Sequence, residues 1–239
     1  MKHVVVCLIL SVAVALAQED YESCKRVKIE GNLVGLSFEG GPTPETTPQI
    51  LDILDEYGIS ATFFVVGSAV QSNSELLSRM TSTGHEVGSS TWGKVRITGL
   101  APAGLKAEVE KTNEAIGQAT GFLPGTFRPP YNATTKALNK RLKDDFQLTV
   151  IGAAVTSPDP KTHDALAIAE TVMKAVKAGD IISLRDDSLA TIDALPEILK
   201  GLFAKGLEPV AVSSLLEIAS QEEDIIPLPP ELAERLPKP

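Results

Sequence analysis

Short apolar runs alternate with helical patterns along most of this chain, from about Arg26 to Ser220. Leu33 to Phe38 and Ala61 to Val66 are apolar almost throughout, which fits strands buried on both faces. Further strands are expected at His85–Gly88, Thr126–Arg128, Gln147–Ile151, Asp180–Leu184 and Pro209–Val212. Between them, Glu45 to Tyr57 places Ile50, Ile53, Leu54 and Tyr57 on one helical face. Ser72 with Glu75 fits a capping box opening the next helix. Helices are also expected over Pro102–Ala119, Thr134–Leu142, Asp164–Lys177 (ended by Gly179) and Leu189–Ala204, where Pro196 predicts a kink. A short last helix is capped by Ser214 and Glu217. Seven apolar strands separated by helices point to an α/β chain of one domain, with the parallel strands curled into a barrel rather than laid out as an open sheet.

The ends read differently. Met1-Lys2-His3, the apolar run Val4–Val14 and the small residues Ala15-Leu16-Ala17 have the form of a secretory signal peptide, residues 1–17, too short to span a membrane. An N-terminal segment 18–29, a barrel 30–219 and a Pro-rich acidic tail 220–239 would follow. The tail carries Ile225, Ile226 and Leu228 as residues able to pack on the barrel. The expected setting is secreted: extracellular, or in a cell or spore wall.

The 239 residues carry a net charge of −9, and removing residues 1–17 takes away Lys2 and no acid, giving −10. An acidic chain lacks the clustered cations that phosphate contacts need, so no nucleic-acid partner is expected, and no membrane partner either. Cys7 lies in the signal, which leaves Cys24 as a lone thiol, inert or bridging to another molecule. Oligomeric state is not legible.

Three segments carry the candidate chemistry: Ser37-Phe38-Glu39-Gly40-Gly41-Pro42, Gly84-His85-Glu86-Val87-Gly88-Ser89-Ser90-Thr91-Trp92-Gly93-Lys94, and Phe127-Arg128-Pro129-Pro130-Tyr131. In order and spacing they resemble the first motifs of the polysaccharide deacetylases (NodB homology), the chitin deacetylases among them. The resemblance implies a distorted (β/α) barrel, often seven-stranded, with the site at the C-terminal ends of the strands. It also implies a divalent metal such as zinc or cobalt, held by the second Asp of Thr-Phe-Asp-Asp-Gly-Pro and the two His of Asn-His-Thr-x-x-His. Here those places are Gly40, Ser90 and Lys94.

By the same resemblance, Glu39 stands at the catalytic base, Arg128 orients that carboxylate, Pro129, Pro130 and Tyr131 form a groove wall, and Arg185 in Leu184-Arg185-Asp186 replaces the general-acid His. Trp92 is a candidate for stacking on a sugar face, or else a space-filler at the barrel mouth. Asn132-Ala133-Thr134 is a glycosylation sequon at the groove rim. His85 reads as a packed histidine.

The metal in such a site lowers the pKa of water from about 15.7 to about 7, roughly 9 units or ~12 kcal/mol of potential activation. Glycine offers no donor, serine a weak one, and lysine repels a cation. Arginine stays protonated and delivers no proton to a leaving amine. No cofactor is therefore expected. Lys94 is expected either to fill the vacated metal position and pair with Glu39 or, like Glu39, to point to water, with Arg128 as a further candidate partner of Glu39. Asp159 and Asp186 read as solvated loop acids. The leading expectation is a catalytically degenerate homologue that binds chitin or another N-acetylglucosamine polymer as a structural component. The alternatives are an active deacetylase with Glu39, Asp159, Asp186 or His163 recruited, and a scaffold without sugar affinity.

Overall fold

The computed structural model describes residues 21–158 and 164–224. The signal segment, Asp159, His163 and the tail beyond Asp224 lie outside the described residues. The strands are β1 (Leu33–Glu39), β2 (Thr62–Val65), β3 (Glu86–Ser89), β4 (Thr126–Phe127), β5 (Thr149–Val150), β6 (Val155–Thr156), β7 (Ile181–Arg185) and β8 (Glu208–Val210). The helices are α1 (Thr47–Tyr57), α2 (Gly67–Ser72), α3 (Ser74–Ser82), α4 (Pro102–Thr120), α5 (Lys136–Phe146), α6 (Ala165–Ala175), α7 (Leu189–Ala204) and α8 (Val212–Asp224).

All strand pairs are parallel, in the order β5-β4-β3-β2-β1-β7-β6, with β8 paired to β1 off this path. The fold is the expected distorted (β/α) barrel, and the curled path has seven strands, but their membership differs from expectation. The last expected strand becomes β8, which pairs Leu33–Gly35, while β2 pairs Ser37–Glu39 further along the same edge of β1. Its place in the path falls to β6, a two-residue strand too short to leave a periodic trace.

The ends of the sheet are bridged by the segment before β1. Cys24 exchanges backbone hydrogen bonds with Val150 and Gly152 at 2.8 and 2.7 Å. Lys25 accepts from Ile181 at 3.0 Å, and Val27 donates to Gly179 at 2.9 Å. Residues 24–27 thus stand between β5 and β7. The Cys24 thiol is half-buried there, and burial pushes its pKa up.

Strand parity sorts the side chains. Val34, Leu36 and Phe38 of β1 and Ile182 and Leu184 of β7 pack outward with α1, α6 and α7 in the main core, where Phe38 stacks on Phe63 at 5.0 Å. Ser37, Glu39, Ser183 and Arg185 alternate with them and point into the barrel. A second core joins α4 and α5 to Phe127 and Val150. Val212 and Leu215 of α8 pack with Phe64, Ile151 and Ile181 in a third.

Local details depart from expectation at element ends. Asn73, not Ser72, sits at the α3 N-cap, and its side chain bonds Ala69 O at 2.9 Å instead of capping. Ser214 lies inside α8. The helix before Gly179 already ends at Ala175. Helix α5 starts later than expected, at Lys136, where the Thr135 hydroxyl accepts from the Leu138 amide.

Candidate functional site

A cavity of about 880 Å³ opens at the C-terminal ends of the strands and is lined by residues of all three motifs. Glu39, Gly40, Ser90, Lys94, Pro130, Tyr131, Asn132 and Arg185 are all there. Phe64, Val66, Thr156, Asp187, Ser188 and Leu189 complete the wall. Of the residues expected to line it, Pro129 and Arg128 are buried behind it, and Trp92 is elsewhere.

Glu39 and Arg185 are register partners on adjacent strands, both facing inward. They nevertheless do not pair. Arg185 turns to Asp187, two residues on: Nε donates to Oδ1 at 2.7 Å and Nη2 donates to Oδ2. Lys94 Nζ donates to the same Oδ2 at 3.2 Å. This corrects the expected Lys94–Glu39 pair: the partner of Lys94 is Asp187. Partial burial opposes ionisation of Asp187, but Arg185 and then Lys94 outweigh it and hold its carboxyl below the usual range. The Glu39 carboxylate faces the cavity with no side-chain hydrogen bond from any described residue, in the field of Arg128 and Arg185.

Gly40 lies against this cluster. Its φ is +120°, outside the range side-chain-bearing residues favour, and a Cβ there would lie 2.7 Å from the Asp187 carboxyl. The Ser90 hydroxyl is buried and donates to Arg128 O at 2.9 Å. The donors at the three positions are therefore none, a hydroxyl already engaged, and an ammonium. Among the described residues no three His, Cys, Asp or Glu converge as a metal group. The residues at these three positions do not supply the donor set a divalent ion needs.

Arg128 is buried in the barrel, and its expected salt bridge to Glu39 is replaced by neutral acceptors. Nη1 donates to Ser37 Oγ at 2.8 Å and Ser183 Oγ at 3.1 Å, Nη2 to Gly152 O at 3.0 Å and Nε to Ile151 O at 3.5 Å. Its guanidinium lies 4.1 Å from the centre of the Phe64 ring. Burial pulls its pKa down to about 10, with Glu39 and Glu86 opposing, so it stays charged near neutrality.

Asp186 is likewise not a solvated acid. It is buried, accepts from the Gly41 amide at 2.6 Å, and has Thr47 Oγ1 at 3.4 Å. His85 is packed as expected. Its Nδ1 accepts from the Ala61 amide at 3.2 Å, its ring meets Phe63 edge-on at 5.5 Å, and burial lowers its pKa.

At the rim, Lys94, Tyr131 and Asn132 have φ of 55°, 63° and 51°, so three side-chain-bearing residues adopt the left-handed conformation around one opening. Tyr131 is 63% exposed, with the Arg96 guanidinium 5.2 Å from its ring centre. Asn132 is exposed beside it. Trp92 lines a different concavity, between α2–α3 and α4, where Lys111 Nζ sits 3.7 Å from its ring centre. Its other surroundings are tight: a Cβ at Gly67 would come within 2.6 Å of the indole.

Sequence reasoning missed Asp187, Ser37 and Ser183. Strand alternation around Phe38 and Leu184 was a usable signal for the two serines. For Asp187 the only trace is the run Arg185-Asp186-Asp187, whose first acid reads as the motif residue.

The family model for polysaccharide deacetylase matches residues 26–149. The chain belongs to that family. It is 36% identical over 191 residues to the peptidoglycan-N-acetylmuramic acid deacetylase PdaC of Bacillus subtilis, covering 80% of this chain and 40% of PdaC. It is 31% identical over 196 residues to a chitin deacetylase of Pestalotiopsis sp, covering 79% of this chain and 65% of that protein. Among solved structures, a CE4 family pseudoenzyme from Bacillus anthracis superposes with a TM-score of 0.77 at 26% identity, covering 81% of this chain and 68% of that one. The chain spans about 40% of the length of the first bacterial relatives it matches.

Proposed function

We propose that this protein is a secreted, wall-associated polysaccharide deacetylase homologue that binds an N-acetylglucosamine polymer, such as chitin, without metal-dependent deacetylation. The observation that carries the reading is the Lys94–Asp187–Arg185 cluster. Two cations and their shared carboxylate line the cavity, with Lys94 at one of the three motif positions where a metal ligand would stand. Glu39 is left without a metal-bound water to deprotonate, and Arg185 holds its proton too tightly to protonate a leaving amine.

Binding keeps its supports. The cavity opens to solvent, with Tyr131 and Leu189 exposed at its edge and with donors and acceptors of both kinds in its wall. The names of the relatives, peptidoglycan and chitin deacetylases, favour amino-sugar polymers as the ligand class. Recruiting Asp186 for catalysis would require breaking its buried bond to Gly41. Among the described residues no helix is long and apolar enough to cross a membrane.

The test measures metal content by mass spectrometry, acetate release from chito-oligosaccharides with added zinc or cobalt, and calorimetric titration with the same sugars. The expected result is no stoichiometric metal, no acetate and a measurable heat of binding. One metal per chain with acetate release would overturn the reading. Absence of both heat and acetate would leave a scaffold without sugar affinity.

A further inference from the structure

The Asp187 carboxylate lies over Gly40, at 2.7 Å from where a Cβ would stand, and it bonds both cations of the cavity. We propose that Asp187, from the loop after β7, stands in for the acidic group that position 40, in the turn after β1, does not carry, and that Lys94 and Arg185 supply to its carboxylate the positive charge an ion would otherwise bring. The proposal rests on the non-catalytic reading of the same cavity.

Two physical facts support this. First, positions 40 and 187 compete for one volume. A Cβ at residue 40 would meet Cγ and Oδ1 of Asp187 at 2.7 Å and Oδ2 at 2.8 Å, closer than carbon and oxygen approach without a bond between them. A side chain at position 40 and the present placement of Asp187 exclude each other. Second, the cluster is an internal substitute for an ion. Lys94 and Arg185 bring two positive charges to a carboxylate that lies only partly open to solvent, and a divalent cation arriving at Asp187 would have to displace both of them.

Gly40, Ser90, Lys94 and Asp187 all line the one cavity. If the two side chains other than Asp187 became imidazoles, the site would present two neutral nitrogens and one carboxylate, a set that zinc accepts. Asp187 is therefore a positioning residue whose carboxylate is set for a cation and holds an ammonium.

The full-length chain carrying Ser90→His and Lys94→His is titrated with Zn²⁺ by calorimetry. The expected result is one zinc per chain, with Asp187→Asn in that background weakening binding by more than the ~10–100-fold that outer-shell changes cost. Unchanged affinity in the Asp187→Asn background, or zinc binding that appears only after Gly40→Asp is added, would overturn the proposal.

Because Ser90 is buried, a histidine there strains the packing, and a cycle in the native chain tests the shared volume without metal. The fall in melting temperature caused by Gly40→Ala should shrink when Asp187 is also replaced by Ala. Equal falls in the two backgrounds would overturn the proposal. Acetate release by the native chain would sink the non-catalytic reading but leave this coupling measurable, so the two failures are distinguishable.

Discussion

The carboxylate of Asp186 accepts a hydrogen bond from the Gly41 amide at 2.6 Å, fastening the end of β7 to the turn after β1. The approach is so close that a Cβ at Gly41 would lie 2.4 Å from Asp186 Oδ2. Asp186 lies in sequence between Arg185 and Asp187, and Gly41 follows Gly40, so this bond ties together the two turns that carry the contact between Gly40 and Asp187.

That bond predicts a pH dependence. Burial raises the Asp186 pKa from 3.8 to about 6, against the pull of the Gly41 amide. The folded state therefore holds more protons than the unfolded state between these values. Stability from this group is fully present below about pH 4 and is lost as pH rises to about 6. Two units correspond to at most ~3 kcal/mol at ~1.36 kcal/mol per unit. Thermal melts of native protein and Asp186→Asn across pH 4–6 should diverge, with the native chain losing ground as pH rises. Parallel curves would show that Asp186 does not titrate there.

Arg128 predicts a large structural loss. Its guanidinium satisfies Ser37, Ser183, Gly152 and Ile151 at once inside the barrel. Arg128→Ala strands these acceptors and opens a cavity, and should cost on the order of 3 kcal/mol or more in urea denaturation. Arg128→Lys offers a single ammonium in place of the planar fork and should recover only part of this. A loss below ~1 kcal/mol for Arg128→Ala would mean that water replaces the guanidinium.

The two aromatic candidates should separate in sugar titrations. Tyr131 stands exposed at the cavity rim, and Tyr131→Ala should weaken chito-oligosaccharide binding about tenfold, equivalent to ~1.4 kcal/mol. Trp92 lies in the other concavity under Lys111, and Trp92→Phe should leave that affinity unchanged. A loss on Trp92→Phe matching that of Tyr131→Ala would place the sugar against α4 instead.

The apolar runs and their spacing were enough to predict β1, β2, β7, α4 and α7 and the barrel they form. A strand buried on both faces leaves a continuous hydrophobic signature, and a helix of 16 or 19 residues leaves several turns of period. The motif residues were legible too: Glu39, Gly40, Ser90, Lys94, Tyr131 and Arg185 do line one cavity. Tertiary structure alone decided the partners. Glu39 and Arg185 are neighbours by register, yet the planar guanidinium forks onto Asp187, and Lys94, in a left-handed turn, reaches the same oxygen. Strand parity and motif spacing fix which residues face the site. The pairing of charges depends on distances between loops remote in sequence, and one-dimensional order does not encode those distances until the barrel has closed.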